Sequence, residues 1–247
     1  MPDLENLLSL FMPVKLEELN SEVELMNRID MKFLFPISKL AGFLKQVQPL
    51  YYSLLIDNRR IFNYQSIYYD TSDLFMYQCH QKGMLNRFKI RRRKYLDSQI
   101  DYLEIKLKND EGRTIKKRIR YPGDQQNIDL SAHHFIASNS PFKADQLTPT
   151  LEVNFKRITL VHKSVSERVT LDFNLSFKNK DGELEVPNLV IAEIKRGTSP
   201  VNSDFAGILQ KKHIKSSEMS KYAMGIALLS EKNFIKDNPL LNPIDDD

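Results

Sequence analysis

The stretch RFKIRRRKYLDSQIDYLEIKLKNDEGRTIKKRIRY, residues 87–121, decides the fold. It reads as three strands, Arg87–Tyr95, Asp101–Lys108 and Arg113–Tyr121, the last two joined by Asn109–Gly112, a hairpin-turn composition. Successive side chains of a strand point to opposite faces. Arg87, Lys89, Arg91 and Arg93 therefore share one face. Glu104, Lys106 and Lys108 oppose Leu103, Ile105 and Leu107, and Thr114, Lys116, Arg118 and Arg120 oppose Ile115 and Ile119. Thirteen Lys and Arg lie between Arg87 and Arg120 against five acids, although all 247 residues together carry a net charge of only +4. So large a local excess points to an anionic partner.

The alternation recurs along the chain. Arg28–Phe35 sets Arg28, Asp30 and Lys32 against Ile29, Met31, Phe33 and Phe35. Glu167–Phe177 sets Arg168, Thr170, Asp172 and Asn174 against Val169, Leu171 and Phe173. In Leu189–Lys195, Glu193 and Lys195 lie opposite Val190, Ala192 and Ile194. Ile61–Tyr69 and Thr150–His162 are further strands. Two arrangements satisfy this pattern. One is a sheet with its apolar face on a core and its charged face in water. The other is a barrel with charged faces inward and apolar faces beneath helices, which also hides the strand edges. A lumen crowded with cations is costly unless an anion fills it. Polyphosphate or triphosphate suits it, since Arg offers phosphate two parallel donors and Lys a compact charge. A glutamate among them can hold Mg2+ or Mn2+.

Helices are expected over parts of Leu4–Met26, from Ser38 as cap to about Gln48, and over Leu74–Lys82, ended by Gly83. Ser131–Ser138, Ser203–His213 and Ser217–Ser230 also read as helix, and the tail after Asn233 as loose. Without repeats or linkers, residues 1–247 read as one domain. Cys79 is the only cysteine, which excludes an intrachain disulfide and a cysteine-based zinc site. No run approaches the ~20 apolar residues that span a bilayer, and the acids at Asp3 and Glu5 do not suit a signal peptide. The expectation is a cytoplasmic protein with no membrane segment. No P-loop or Gly-x-Gly-x-x-Gly occurs. His133 and His134 read as surface residues, and His80, His162 and His213 lack partners at metal-ligand spacing. Tyr51, Tyr52, Tyr68 and Tyr69 suit packing better than base stacking. Arg91–Lys94 alternates faces, so nucleic acid is not an expected partner.

Eight segments in order carry a resemblance: Arg28-Ile-Asp-Met-Lys32, Ser66-Ile-Tyr-Tyr-Asp-Thr71, Lys89-Ile-Arg-Arg-Arg93, Leu103-Glu-Ile-Lys106, Phe155-Lys-Arg157, Glu167-Arg-Val-Thr-Leu-Asp172, Ala192-Glu-Ile-Lys195 and Ser220-Lys-Tyr222. Over roughly Leu19–Leu229 the chain resembles the VTC domain, the polyphosphate-polymerase domain of the vacuolar transporter chaperone family. That family belongs with the CYTH proteins among the triphosphate tunnel metalloenzymes. The resemblance implies an α+β fold, a closed antiparallel β-barrel of about eight strands with flanking helices. It also implies a metal-dependent phosphotransferase that builds polyphosphate from the γ-phosphate of ATP or another nucleoside triphosphate. A triphosphatase and a non-catalytic polyanion binder are the alternatives. It assigns catalytic roles to Lys32, Lys89, Arg91, Lys106, Arg157, Arg168 and Lys195, and phosphate binding to Lys116, Arg118, Ser220 and Lys221. Glu193 falls in the metal position, for Mn2+ or Mg2+. Two positions depart from the family pattern: Glu218 stands where its polymerases carry Lys, and Phe155 where they carry Tyr. No segment matches the phosphate-sensing or membrane modules of the eukaryotic members.

Overall fold

In the computed structural model, residues 3–18, 28–122, 129–197 and 202–230 are described. The alternating segments are strands: β1 (Pro13–Val14), β2 (Arg28–Pro36), β3 (Tyr51–Leu54), β4 (Ile61–Asp70), β5 (Arg87–Tyr95), β6 (Ile100–Lys108), β7 (Thr114–Arg120), β8 (Thr148–His162), β9 (Glu167–Asn179), β10 (Gly182–Val186) and β11 (Leu189–Gly197). The helices are α1 (Leu4–Ser9), α2 (Leu40–Val47), α3 (Phe75–Gln81), α4 (Leu130–Asn139), α5 (Asp204–Lys211) and α6 (Lys221–Ser230). Ser38 does not cap α2. It lies in a 3-10 turn, Ile37–Lys39, that leads into the helix without a side-chain cap. The expected N-terminal helix beyond residue 18 and the tail after 230 lie outside the described residues.

Eight strands follow one path, β2-β11-β9-β8-β4-β5-β6-β7, with every pairing along it antiparallel. Five steps separate β2 from β5, roughly 24 Å in a flat sheet at ~4.8 Å per strand. Yet Lys32 of β2 is among the charges that depress the ammonium of Lys89 on β5. Likewise Lys106 of β6 feels Lys195 and Glu193 of β11. The sheet is therefore strongly curled, and its two ends face one another across a lumen.

The described strands form the curled antiparallel sheet of eight strands expected from the resemblance, as an open half-barrel. Among the described residues β2 and β7 do not pair. The free edge of β2 instead takes up the connection leading to α6: Phe33 bridges Ser216, and the Ser217 amide donates to the Lys32 carbonyl at 2.8 Å. A strand has only two hydrogen-bonding edges, so at this level β2 has none left for β7. The result is an α+β half-barrel whose seam lies between its first and last strands.

Parity divides the apolar residues into layers. Outward-facing Phe33, Phe35, Val190, Ala192 and Ile194 pack under Leu8 of α1, Leu40 and Leu44 of α2 and Leu209 of α5. Ile67, Ile90, Leu103 and Ile105 pack under Met76 of α3 and Phe135 and Ile136 of α4. A third cluster lies inside. Phe155, Val153 and Leu151 share the parity of Arg157, and Ile191 and Leu189 share that of Glu193. Together with Leu175 and Phe177 they enclose Tyr222, Ile226 and Leu228 of α6. One section of the lumen is thus charged and the next is filled by a helix. The inward face of β9 stays in phase because Asn174 is left-handed, φ 49°, and bulges outward, exposed. Simple alternation had placed Asn174 on the charged face beside Asp172.

Outside the lumen, a buried polar network anchors α5. The Tyr51 hydroxyl donates to Glu167 and accepts from the Phe205 amide at 3.3 Å. His162 Nδ1 accepts from Ser164 and Val165, so its Nε2–H donates to Asp204 at 3.0 Å. His162 therefore has a structural task.

Gly225 of α6 sits against the inner wall. A β-carbon there would lie 2.5 Å from Phe177 Cδ1 and 2.7 Å from Leu151 Cδ2, both fully buried. Gly225→Ala is expected to destabilise the fold by ~1–3 kcal/mol through overpacking. Chemical denaturation measures this, and an unchanged or stabilised protein would place α6 elsewhere.

Candidate functional site

The curled strands bring nearly all the singled-out side chains to one lumen. β2 supplies Lys32, β5 supplies Lys89 and Arg91, β6 supplies Lys106, and β8 supplies Arg157. β9 supplies Arg168, and β11 supplies Glu193 and Lys195. The register confirms the shared face: Glu193 lies opposite Lys32, Lys195 opposite Arg168, Lys89 opposite Lys106, and Glu104 opposite both Arg91 and Arg118. Lys116 and Arg118 lie on β7, whose residues are almost all exposed, so they flank the lumen rather than line its depth. Lys221 opens α6 and reaches Asp172. Ser220 caps that helix, its hydroxyl oxygen accepting from the Ala223 amide at 3.4 Å.

Three carboxylates act as internal counter-ions. Glu104 is almost fully buried and takes Arg91 through Nε and Nη2 at 2.8 and 2.6 Å, with Lys116 at 3.5 Å. Asp172, equally buried, takes Arg157 at 2.5 and 2.7 Å and also Lys221. Burial alone would raise their pKa values. For Asp172 the cations Arg157 and Lys221 outweigh burial and hold it at about 2. Arg91, Arg93 and Lys116 hold Glu104 well below the carboxylate range. Glu193 is looser, 3.4 Å from Lys195, and burial is again outweighed, by Lys195, Lys106 and Lys32. All three are ionised at neutral pH.

The cations outnumber them. Among the described residues, no ion pair is made by Lys32, Lys89 or Lys106. Burial, then Lys32 and Arg87, push Lys89 down to about 7. Arg91, burial and Lys195 push Lys106 well below its ordinary range. These amino groups face the lumen without an ion-pair partner among the described residues.

Aromatic rings carry part of the remaining load. Phe155, the departure from the family pattern, stacks on Tyr64 at 5.2 Å between centroids. Lys221 lies 4.8 Å, Arg157 5.3 Å and Arg93 5.8 Å from its ring centre. The Tyr68 hydroxyl accepts from Arg91 at 3.2 Å, and its ring stacks on Tyr222. Glu218, the other departure, is exposed. Sequence reasoning missed the counter-ion roles of Glu104 and Asp172 and the buried position of Arg93. The signal was available, since all three have inward parity. Arg92 points outward and pairs with Asp101 at 2.5 Å, so Arg91–Lys94 is no continuous basic patch.

A sequence profile described as "VTC domain" matches residues 27–230. No curated relative matches the sequence. Among solved structures, HpAC1 from Hippeastrum, described as revealing a dominant triphosphatase activity, is 13% identical. It is matched over 81% of this chain and 96% of its own, with a TM-score of 0.48. A conserved hypothetical protein from Pyrococcus furiosus is 10% identical over 79% of this chain and 98% of its own, with a TM-score of 0.44. No described helix is long and apolar enough to cross a membrane.

Asp172→Asn would leave Arg157 and Lys221 buried without their carboxylate, a loss of ~3–5 kcal/mol for a broken buried pair. A bound polyanion would restore the charge balance. Thermal unfolding with and without inorganic triphosphate is expected to show a larger ligand-induced rise in Tm for this variant than for wild type. Equal rises would remove Asp172 from the lumen's charge balance.

Proposed function

The chain belongs to the VTC domain family, and from that membership and the lumen's charge we propose that it transfers phosphoryl groups from a nucleoside triphosphate such as ATP to the end of an inorganic polyphosphate chain. The observation that supports the proposal is the trio Lys32, Lys89 and Lys106, half-buried on the lumen face and making no ion pair among the described residues, with Glu193 acting on Lys106 and directly opposite Lys32. A polyanion is the ligand that relieves all three at once. An acceptor longer than water fits the length of the lining: inward-facing cations on β5 alone run from Arg87 to Arg93, about 20 Å at ~3.3 Å per residue, longer than a triphosphate.

The donor set suits Mn2+ or Mg2+ only in a particular way. Among the described residues no three or more His, Cys, Asp or Glu are grouped so that they could hold a metal ion. Glu193 is a single ionised carboxylate facing the lumen. That fits a hard cation carried mostly by phosphate oxygens and water, with Glu193 as its protein ligand, rather than an all-protein cage. When bound, such an ion neutralises charge on the phosphate oxygens as a Lewis acid. The remaining work belongs to the side chains. Lys32, Lys89 and Lys106 bind and neutralise the triphosphate. Arg91 and Arg157, fixed by Glu104 and Asp172, present oriented donors. Arg168 and Lys195 extend that lining, and Lys116 and Arg118 meet the chain where it emerges over β7. Lys221 and Ser220 stand at the N-terminus of α6, where backbone amides also favour an anion. Phosphoryl transfer asks for alignment and charge stabilisation more than covalent help, which is what rigid paired cations provide.

Incubation with ATP and Mn2+ is expected to yield polyphosphate chains, resolved on a gel, and Glu193→Ala is expected to reduce the product at least ~100-fold without lowering Tm. Release of orthophosphate alone would make the protein a hydrolase; no product from a protein that still binds triphosphate would make it a binder. The ammonium groups predict a pH dependence. Lys89 titrates near 7 in the free protein and at ~10.4 when unfolded. Between those limits the unfolded state holds the extra proton, so the free protein should gain stability as pH rises from about 7 towards 10. Anion binding raises the Lys89 pKa and takes up that proton, so affinity for inorganic triphosphate should fall over the same interval. Calorimetric titration at pH values across it gives the slope, and an affinity that rises with pH would contradict the assignment.

A further inference from the structure

The inward face carries a row of rings that phosphate binding does not explain. It crosses four neighbouring strands: Phe155 of β8, Tyr64 of β4, Tyr95 of β5 and Tyr102 of β6. Tyr64 lies opposite both Phe155 and Tyr95, and Arg93 lies opposite Tyr102. Ring centres are 5.2 Å apart for Phe155 and Tyr64, 5.0 Å for Tyr64 and Tyr95, and 5.9 Å for Tyr95 and Tyr102, the last edge to face. Tyr95 ends β5 and Tyr102 stands near the start of β6, so the row leads to one mouth of the lumen. Exposure follows that course. Phe155 and Tyr64 are buried, Tyr95 and Tyr102 are half-buried, and Arg118 of β7 is exposed with its guanidinium 4.6 Å from the Tyr102 ring centre. The inner pair is accounted for by the cations on it, Arg93, Arg157 and Lys221. Tyr102 is not. It belongs to none of the three apolar clusters, and its ring contacts among the described residues are with Tyr95 and Arg118. A partly open ring at the lip of a basic lumen, with an arginine on it, has the make-up of a base-stacking platform.

We propose that this lip takes the base of the donor nucleotide, stacked on Tyr102 beside Tyr95, while the phosphates run inward to the lumen cations. This rests on the nucleoside-triphosphate reading above. Arg93 and Arg91 follow Tyr95 inward on the same face of β5, about 7 and 13 Å away at ~3.3 Å per residue. A ribose and a triphosphate cover that reach. Arg118 is exposed, so it can lie on the far face of the base while its in-plane N–H groups stay free for phosphate oxygens. Stacking rewards ring area and does not read a base edge, so a purine nucleotide is held more firmly than a pyrimidine one.

The test is calorimetric titration of wild type, Tyr102→Ala and Tyr102→Phe with two ligands, inorganic triphosphate and a non-hydrolysable ATP analogue. Tyr102→Ala is expected to bind the ATP analogue roughly tenfold more weakly than wild type, the scale of one base on one aromatic ring. Its affinity for inorganic triphosphate should be unchanged, and Tyr102→Phe should bind both ligands as wild type does. A loss shared equally by the two ligands, or no loss for either, overturns the proposal. Should Tyr102→Ala not fold, wild type decides by NMR: the adenine H2 and H8 protons of the bound analogue must show nuclear Overhauser contacts to the Tyr102 ring, and their absence overturns the role. A wild-type protein that binds neither ligand would remove the functional reading and this one together, whereas triphosphate binding with an ATP-analogue affinity indifferent to Tyr102 removes this one alone.

Discussion

Like charges confined to one lumen repel, and everything else in this structure answers to that repulsion. Eight strands each contribute an inward face, and the curl of the sheet brings cations from opposite walls within reach of one another. Three devices make the arrangement tolerable. Glu104 and Asp172 neutralise Arg91 and Arg157 with paired, charge-assisted hydrogen bonds. Aromatic faces of Phe155 and Tyr64 take part of the charge of Arg93, Arg157 and Lys221. Lys89 and Lys106, which make no ion pair among the described residues, shed protons more readily than free lysine does. Arg91 and Arg157 stay charged and are paired, while Lys89 and Lys106 make no ion pair and lose their protons more readily, which follows from the different chemistry of the two side chains. The fixed pairs hold the frame, and the unpaired lysines are the part that a ligand completes.

Much of this was legible in the sequence. Period-two alternation placed Lys32, Lys89, Arg91, Lys106, Glu193 and Lys195 on the charged faces of their strands, leaving open whether those faces met water or a lumen, and the strand boundaries of β5 were read to the residue. Alternation failed where the backbone breaks its own period, at Asn174, whose left-handed conformation restores phase by adding a residue. Short partners such as β3 and β10 went unread because four or five residues carry too little pattern to stand out. Closure could not be read either, because it depends on what occupies the edge of β2, a contact between residues far apart in sequence. Carboxylate roles were the subtler gap: local sequence gives Glu104 an inward face, but only the register against Arg91 and Arg118 makes it a counter-ion.

The two departures from the family pattern have different weight. Phe155 keeps the ring at the centre of three cations and loses only a hydroxyl, so the charge-bearing face of the position survives. Glu218 is exposed on the connection before α6, where it replaces a basic residue of the family's polymerases with an acid. Ser220 remains at the helix start, and Lys221 remains on Asp172. One departure thus sits on a strand and keeps its packing, and the other lies on the segment leading into the lumen.

That same segment has a mechanical consequence. A fully closed barrel is a hydrogen-bonded hoop whose circumference is fixed by strand number and stagger. Here, among the described residues, the hoop is not complete, and the backbone of Ser216 and Ser217 joins one lip of the gap to the connection leading into α6. The bore is consequently set by side-chain contacts around α6 and not by an unbroken ladder. As in a split ring, no ladder of strand hydrogen bonds joins the two lips among the described residues, and the unbroken run of pairings lies between them.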